Sequence, residues 1–366
     1  MALDTWTQKA DFPVATREMS RCGVGIGKGY KTPKTPSFRG YVLSDYGTTA
    51  YEYDPDKDIW VSFTMGQHNA GEATIFALGK YIFVQGGAGS GGSSVSTLFL
   101  WNSETRTGAN GANGYRQYGA YGGAVNGKGY VMGGYRNGTL STCREYNPDT
   151  DTWEAKTSVY PADYDGNSYV MQDKVWCIGG MVNDKLHRAY NPATDTHATY
   201  TAPPTSVFLA SACYSAGRGH IIGGWNAARR HEVYNPDTDT WEDKEGPPRD
   251  IAEAACFGLN GKIYVGPGYD AGDGLYGEGD YFYMYVSAVT EVSGHVEDTE
   301  GGDAEDCLVV LVPLWDHKDI HTDLTDSDGN FSIAFDGAAD DLAEDKVAVF
   351  SWPDSEDEIG DVVTNV

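Results

Sequence analysis

The stretch Tyr146-Asn-Pro-Asp-Thr-Asp-Thr-Trp153 places an aromatic residue, a turn and a tryptophan in immediate succession. Proline sets φ at one turn position, and Asn and Asp side chains hydrogen-bond to nearby backbone amides, so the stretch predicts a tight turn between two strands. The same pattern recurs at three other places: Tyr53–Trp60, Tyr190–His197 and Tyr234–Trp241. A supersecondary unit is therefore repeated along the chain.

A pair of glycines closes a short apolar run in most of the units. The pairs begin at residues 86, 133, 179 and 223, and Pro267-Gly268 takes their place in the last unit, so the spacing is 47, 46, 44 and 44 residues. A regular period of this length is typical of propellers and solenoids. The apolar runs are too short for helices and are bounded by glycine, so they predict buried strands.

Each unit has room for four strands, and the tryptophan position counts six units, at Trp6, Trp60, Gly108, Trp153, His197 and Trp241. The last unit has three strands up to Val286 but no tryptophan, whereas Met1–Trp6 repeats the end of the signature. We expect the N-terminal strand to complete the last blade, because this closes the ring and removes an exposed sheet edge.

The glycine pair, the later tyrosine and the tryptophan after it together resemble the kelch repeat. The resemblance covers residues 1–286 and implies a six-bladed β-propeller, and Thr5–Pro13 is similar to the segment between blades in microbial kelch proteins. The first unit departs from the pattern because Pro33-Lys34 stands where the glycine pair belongs. On this spacing, Lys31–Arg39 is expected to be the loop that leaves the second strand.

Residues 287–366 have fewer tyrosines and more acidic residues than the repeats, which predicts a second domain. Gly294-His-Val-Glu-Asp298 and Thr325-Asp-Ser-Asp-Gly-Asn-Phe331 resemble the opening and the hairpin of the carboxypeptidase regulatory-like, or transthyretin-like, domain. This resemblance implies a small Ig-like β-sandwich that serves as a spacer or a binding module. The expected fold class is therefore all-β, with a propeller over 1–286 and a sandwich over 287–366.

The composition restricts the classes of function. A net charge of −27 argues against contact with nucleic-acid phosphates, which needs clusters of Lys and Arg. The apolar runs are all far shorter than a membrane-spanning helix requires, so no membrane insertion is expected. The first twenty residues have neither a basic start nor an apolar core, which predicts that the chain has no signal peptide.

No cofactor and no catalytic set is expected from the motifs. A copper oxidase of the kelch type would need a Tyr/His copper set, and a serine hydrolase a Gly-x-Ser-x-Gly elbow, and neither is found in the sequence. His317 and His321, flanked by aspartates, form the one dense group of ligand-capable side chains, but their spacing matches no known metal site. The six cysteines are expected to be free, buried thiols, because matching positions in successive blades are expected to lie too far apart to bridge.

Ligand binding is expected at one mouth of the ring. In an up-and-down blade the second and fourth strands run parallel, so the loops that leave them lie on the same face. These loops are the most variable segments, and pseudo-symmetry would gather their Arg, His and Tyr side chains around the channel, where they could bind sugar hydroxyls or carboxylates. The alternative is that each arginine pairs with an acid or a carbonyl of a neighbouring blade. The candidate binding residues are Arg17, Arg39, His68, Arg116, Tyr118, Tyr164 and Arg249.

Three functions of different class fit these observations. The first is a non-enzymatic binding protein on the surface of a virion, such as a phage tail, fibre or capsid decoration. In that case the propeller would bind a host carbohydrate or protein, and the sandwich would contact other virion proteins. The chain could perform these two roles as a homo-oligomer. Virion proteins are released by lysis, which fits a chain without an export signal. The second is a cytoplasmic kelch scaffold, and the third a glycan-acting enzyme such as a sugar mutarotase, which would need acid and base groups in the channel.

Overall fold

A computed structural model describes residues 5–14, 23–28, 37–43, 48–66, 71–89, 93–159, 161–225, 229–259, 261–270, 277–278, 280–286, 289–295, 308–313, 321–324, 330–336 and 347–352. All the regular secondary structure of the described residues is β-strand. In chain order the strands are β1 Thr5–Gln8, β2 Gly23–Lys28, β3 Ser37–Leu43, β4 Thr49–Asp54, β5 Ile59–Thr64, β6 Thr74–Leu78, β7 Tyr81–Gln85, β8 Leu98–Asn102, β9 Thr107–Gly111, β10 Tyr121–Val125, β11 Lys128–Met132, β12 Cys143–Asn147, β13 Thr152–Lys156, β14 Asn167–Met171, β15 Lys174–Ile178, β16 His187–Asn191, β17 Thr196–Thr199, β18 Ser211–Ser215, β19 Arg218–Ile222, β20 His231–Asn235, β21 Thr240–Asp243, β22 Ile251–Ala252, β23 Cys256–Leu259, β24 Lys262–Val265, β25 Tyr269–Asp270, β26 Gly277–Glu278, β27 Tyr283–Val286, β28 Val289–His295, β29 Leu308–Pro313, β30 His321–Leu324, β31 Asn330–Asp336 and β32 Val347–Trp352.

Six four-stranded antiparallel sheets form the blades of a propeller. The first five are β2-β3-β4-β5, β6-β7-β8-β9, β10-β11-β12-β13, β14-β15-β16-β17 and β18-β19-β20-β21. The sixth has the order β23-β24-β27-β1, so its outer strand comes from the N-terminus. The prediction of a six-bladed ring closed by the N-terminal strand is therefore confirmed. Blades 1 to 6 are numbered in this order below.

The first blade corrects one expectation from the sequence. Its second strand is β3, Ser37–Leu43, and it pairs with β2 through Val24↔Tyr41. Residues 31–36 therefore come before the second strand and do not leave it, while residues 37–39, including Arg39, lie within β3. The prediction was wrong because it took Pro33-Lys34 as the equivalent of the glycine pair, whereas residues 29–36 separate the first two strands of this blade.

The repeated Tyr–Asp–Trp signature joins each blade to the one before it. In blade 3 the Asp151 carboxylate accepts hydrogen bonds from the Tyr146 hydroxyl (2.7 Å) and from the backbone N–H of Ala112 (2.6 Å). The Trp153 indole N–H donates to the carbonyl of that same Ala112 (2.8 Å). Since Ala112 follows the outer strand of blade 2, the signature holds both polar groups of one peptide residue in the preceding blade.

The other copies repeat this clamp on Ala10, Thr157 and Thr201. In blade 4 a histidine replaces the tryptophan, and Nε2 of His197 lies 2.9 Å from the Thr157 carbonyl, where it takes the place of the indole N–H. In blade 6 the N-terminal Trp6 donates to the carbonyl of Glu245 (2.7 Å), so the closing strand continues the same series.

Blade 2 lacks the aspartate and uses an ion pair in its place. Arg106 stands at the aspartate position and binds both carboxylate oxygens of Glu52 in blade 1 at 3.1 Å. Glu52 is buried and also accepts a hydrogen bond from the Tyr41 hydroxyl (2.9 Å). A blade with a divergent signature is thus still attached to its predecessor, by a charge pair and not by a peptide clamp.

The glycine pair makes a second contact between blades. The first glycine of blade 3, Gly133, has φ +66°, and a Cβ placed on it would lie 2.6 Å from the carbonyl oxygen of Asp163 in the next connection. The N–H of Gly134 donates to that same carbonyl (2.8 Å). Only glycine combines a left-handed backbone with this close approach, which explains why the pair recurs.

Residues outside the propeller form a separate compact unit. The propeller unit spans Trp6–Tyr285, and the second unit comprises Met1–Thr5 and Val286–Val366. Within the second unit β28 pairs with β31, and β30-β29-β32 form a three-stranded antiparallel sheet. Its strands agree with an all-β module, and the transthyretin-like sandwich stays a prediction.

Candidate functional site

One face of the ring carries the connections that leave the second and fourth strands of each blade. Where the chain enters the first strand of a blade, one residue adopts a left-handed backbone with φ between +49° and +61°. These residues follow one another around the channel mouth, and we call them the inner rim: Glu72, Gly119, Asp165, Leu209 and Glu253.

Backbone hydrogen bonds link members of the inner rim from blade to blade. The N–H of Gly119 donates to the carbonyl of Glu72 (2.9 Å), and the N–H of Asp165 donates to that of Gly119 (2.8 Å). Glu253 donates in the same way to Leu209 (2.9 Å). The rim therefore presents three carboxylate side chains at the channel mouth, on a backbone held by its neighbours.

In blades 2 to 6, two backbone positions next to the inner rim pair with each other. One stands directly before the rim residue and the other directly after the glycine pair, or after Pro267-Gly268 in blade 6, with the same sequence separation in all five blades. In blade 3 the pair is Tyr118 and Tyr135, joined by two backbone hydrogen bonds, and in blade 5 the N–H of Trp225 donates to Phe208. The five pairs are Gly71/Ala88, Tyr118/Tyr135, Tyr164/Met181, Phe208/Trp225 and Ala252/Tyr269.

Three tyrosines from these positions pack together, and we call them the tyrosine platform. The ring centroids of Tyr118 and Tyr135 lie 5.4 Å apart, and those of Tyr135 and Tyr164 lie 4.9 Å apart. All three side chains are partly exposed. Burial, followed by the carboxylates of Glu72 and Asp165, raises the pKa of Tyr118, so its phenol stays protonated at neutral pH.

Apolar side chains extend the platform around the same face. Met181 and Val182, which follow the glycine pair of blade 4, are 44% and 61% exposed, and Trp225 in blade 5 is 41% exposed. The Asp163 carboxylate orders the loop beneath Met181 by accepting the backbone N–H groups of Tyr164, Val182 and Asn183 at 2.8–3.0 Å. Burial raises the pKa of Asp163, an effect that these three amides oppose. Exposed apolar side chains that lie close together typically mark a binding surface.

The structure brings together two of the sequence candidates, Tyr118 and Tyr164. Arg116 lies two residues from Tyr118, and its Nε donates to the carbonyl of Ser94 (3.0 Å). The guanidinium of Arg249 lies 5.6 Å above the Tyr281 ring. Arg39 is in the wrong place for this site, because in β3 it pairs with Asp54 (2.8 Å) and Glu52 (3.6 Å). Arg17 and His68 lie outside the described residues.

Sequence reasoning missed Tyr135, Met181, Phe208 and Trp225. Most of the sequence candidates were charged residues, and most of these lie slightly further upstream of the glycine pair than Tyr118 and its equivalents do. A simple signal was present: the residue directly after each pair is Ala88, Tyr135, Met181, Trp225 or, in the last blade, Tyr269. Four of these five equivalent positions carry large side chains, and the contacts that build the scaffold do not require them.

Inside the ring, the first strands enclose a cavity of about 240 Å³. Small and apolar residues such as Ala77, Gly123 and Val170 form much of its wall. None of the described residues that line it is Asp, Glu, His, Lys or Arg. Its titratable side chains, among the described lining residues, are tyrosines and cysteines.

Two cysteines of the cavity wall lie in neighbouring blades. Cys213 in β18 and Cys256 in β23 occupy matching positions of neighbouring blades, and their thiols are hydrogen-bonded to each other. They form no disulfide, as the sequence predicted, although the first strands of adjacent blades pack directly on each other. Both residues are free, buried thiols, and burial raises the pKa of Cys256 well above its usual range.

The described residues include no group of three or more His, Cys, Asp or Glu side chains that could hold a metal ion. His317 lies outside them, and for His321 the description extends to its strand and not to its side chain. No helix among the described residues is long and apolar enough to span a membrane.

Comparison with known proteins agrees with this architecture. Residues 122–158, which contain most of blade 3, match the Kelch motif. The propeller carries a Kelch motif. A solved structure titled "Structure of YjhT" is similar to the chain, with a TM-score of 0.61 and 15% identity over 76% of this chain and 97% of that one. No curated protein matches the sequence. At this identity the likeness shows the fold alone.

Proposed function

We propose that this protein is a binding protein whose Kelch propeller recognises a receptor on a cell surface. The observation that supports this most is the tyrosine platform, continued by Met181, Val182 and Trp225 on the same face. The clamp residues build the scaffold around the ring, whereas these side chains take no part in the clamp. Their position at the channel mouth is a usual place for ligands of ring-shaped folds.

The hydroxyl groups of the platform distinguish it from the scaffold tyrosines. In the signature turns Tyr146, Tyr190 and Tyr234 each donate to an aspartate of the same turn at 2.7–2.8 Å. No hydrogen-bond partner for the hydroxyl groups of Tyr118, Tyr135 or Tyr164 is found within the described parts of the protein. These three phenols are therefore available to a ligand.

The test is binding of the fluorescently labelled full chain to a panel of bacterial and eukaryotic cells. We expect saturable binding to some of them, and we expect the double substitution Tyr118→Ala with Tyr164→Ala to abolish it. Tyr81→Ala is the matched control, because Tyr81 is also partly exposed but lies at the β6–β7 turn, at the opposite end of its blade. Absence of binding to every cell type, or equal binding by the double variant, would contradict the proposal.

We further propose that the protein acts as part of a virion, with the second unit contacting other particle proteins. The pairing of a recognition ring with a second all-β module supports this arrangement, which rests on analogy and not on the site. Mass spectrometry of purified particles tests it directly. Detection of the chain in particles is expected, and its recovery only with cytoplasmic host proteins would favour a scaffold instead.

A further inference from the structure

The charges around the tyrosine platform narrow the class of ligand. The charged groups that act most strongly on Tyr118 are the carboxylates of Glu72 and Asp165, and on Tyr164 they are those of Asp165 and Asp163. The two arginines next to the platform in sequence are directed elsewhere: Arg116 to the Ser94 carbonyl, and Arg136 over the Tyr115 ring at 5.4 Å. The local potential at the platform is therefore negative, like the net charge of the whole chain.

A negative potential disfavours acidic ligands. A sialylated, sulfated or uronic-acid glycan would bring its own anion next to Glu72 and Asp165, and like charges at short distance are repelled. An uncharged sugar meets no such penalty. Its hydroxyl groups can donate to the two carboxylates, and hydrogen bonds to ionised acceptors are stronger than neutral ones.

The geometry of the rings argues against a small organic cation. A site for a quaternary ammonium group surrounds the cation with aromatic faces and therefore needs an open space between them. Here neighbouring rings are already in contact, with centroids 4.9 and 5.4 Å apart and planes inclined by 47° and 38°. The three rings form one continuous surface, which suits the C–H face of a pyranose ring.

We infer that the tyrosine platform binds an uncharged sugar unit of a surface polysaccharide. The sugar ring stacks on Tyr118, Tyr135 and Tyr164, while Glu72 and Asp165 accept its hydroxyl groups. This inference rests on the proposed function, and it specifies the receptor as a neutral glycan. Glu72 is exposed, and the Asp165 side chain is partly exposed beside Gly119, whose missing side chain leaves room for the carboxylate.

The full chain is tested first on an array that holds neutral, amino, sialylated and sulfated glycans. Binding to a subset of the neutral glycans is expected, together with at least tenfold weaker binding to sialylated or sulfated forms of the same core. Calorimetry with the best neutral oligosaccharide then compares variants. Tyr118→Ala and Tyr164→Ala should each lower the affinity about tenfold or more, a loss typical of a stacked contact. Tyr81→Ala should leave the affinity unchanged.

The carboxylates are tested by neutralisation. Glu72→Gln and Asp165→Asn keep the shape of the side chains but remove the charge, so they should weaken neutral-sugar binding several-fold and reduce the discrimination against acidic glycans. Thermal unfolding of each variant checks that the ring remains folded.

The outcomes separate this inference from the proposed function. If binding is confined to acidic or amino glycans, or if cells still bind the chain after their glycans are removed, the neutral-sugar inference is wrong, although the protein remains a receptor binder. Binding of neutral glycans that is unaffected by the tyrosine substitutions would also overturn the inference. If neither cells nor glycans are bound, both proposals fail together.

Discussion

Acidification should destabilise the propeller at pH values where carboxylates of ordinary pKa are still ionised. His187 is buried among Trp176, Tyr234 and Trp241, and its Nδ1 lies 2.8 Å from the Thr201 carbonyl. Burial lowers its pKa from 6.5 to about 4, an effect that the Thr201 carbonyl and the nearby Asp239 oppose. His187 is therefore neutral in the folded protein at pH 5, although an unfolded histidine binds a proton there.

A second buried pair acts in the same direction. Nδ1 of His220 lies 3.1 Å from Nε2 of His231, and the nearby charged groups that act on their titration are the cations Arg218 and Lys244. Burial lowers the pKa of His231 to about 3 and that of His220 well below its usual range. Because two adjacent buried cations would repel each other, the pair stays unprotonated in the folded state well below pH 6.

The size of the effect follows from linkage between protonation and folding. A histidine whose folded pKa is lowered contributes stability that is complete above its unfolded pKa and is lost as the pH falls towards the folded value. For His187 the loss between pH 7.5 and pH 5 is about 2 kcal/mol, and the His220/His231 pair adds at least about 2 kcal/mol more. Domains are typically stable by about 5–15 kcal/mol, so this loss is easily measured.

Urea unfolding, followed by tryptophan fluorescence at pH 7.5, 6.5, 5.5 and 5, measures the loss directly. The midpoint should fall steadily through this range, in which Asp and Glu side chains of ordinary pKa scarcely titrate. His187→Gln serves as the matched variant: it lowers the stability at neutral pH but should make the pH dependence shallower by close to one proton. An unfolding free energy that is the same at pH 7.5 and pH 5 would refute the reasoning.

Two further predictions concern the contacts between blades. Trp241→Phe keeps an aromatic side chain but removes the indole N–H that donates to the Thr201 carbonyl at 2.9 Å. It should therefore lower the free energy of unfolding, measured in urea, by about 1 kcal/mol. Trp241→His introduces the residue that blade 4 uses at this position and should recover part of the loss. Arg106→Met removes the guanidinium that binds both carboxylate oxygens of the buried Glu52. The free energy of unfolding should fall by about 1–2 kcal/mol. The loss is moderate because Arg106 is partly exposed and because Glu52 still accepts a hydrogen bond from the Tyr41 hydroxyl. A melting midpoint that is unchanged in Arg106→Met would show that blades 1 and 2 are held by packing alone.

Much of the scaffold could be predicted because its determinants are local and repeated. The turn residues, the glycine pair and the alternating apolar runs each specify a strand end or a tight turn, and their period counts the blades. The count survived even where single residues had changed, as with His197 and Gly108. Blade 1 was harder, because its long connection between β2 and β3 removed the fixed spacing on which the count depends.

The candidate site was only partly predictable, because it is assembled from residues far apart in the sequence. Tyr118 and Tyr164 were found as polar aromatics in variable connections, but Tyr135 joins them only because the chain returns to the same face after the glycine pair. The arginines were chosen by charge and spacing, and no local signal shows that Arg116 turns to a carbonyl or that Arg39 lies in a strand. Side-chain direction is set by packing against the neighbouring blade.

The sequence by itself therefore determined the class of fold of the propeller, the number of its blades and the closure of the ring by the N-terminal segment, since each depends on a repeated short-range pattern. Only the tertiary structure decided which side chains share the channel mouth, that the mouth is lined by carboxylates and tyrosines, and that Cys213 touches Cys256. The physical reason is that ring closure brings equivalent positions of neighbouring blades into contact, although a whole repeat of the chain separates them in sequence. A short-range sequence pattern does not specify which side chain of the neighbouring blade a residue will contact.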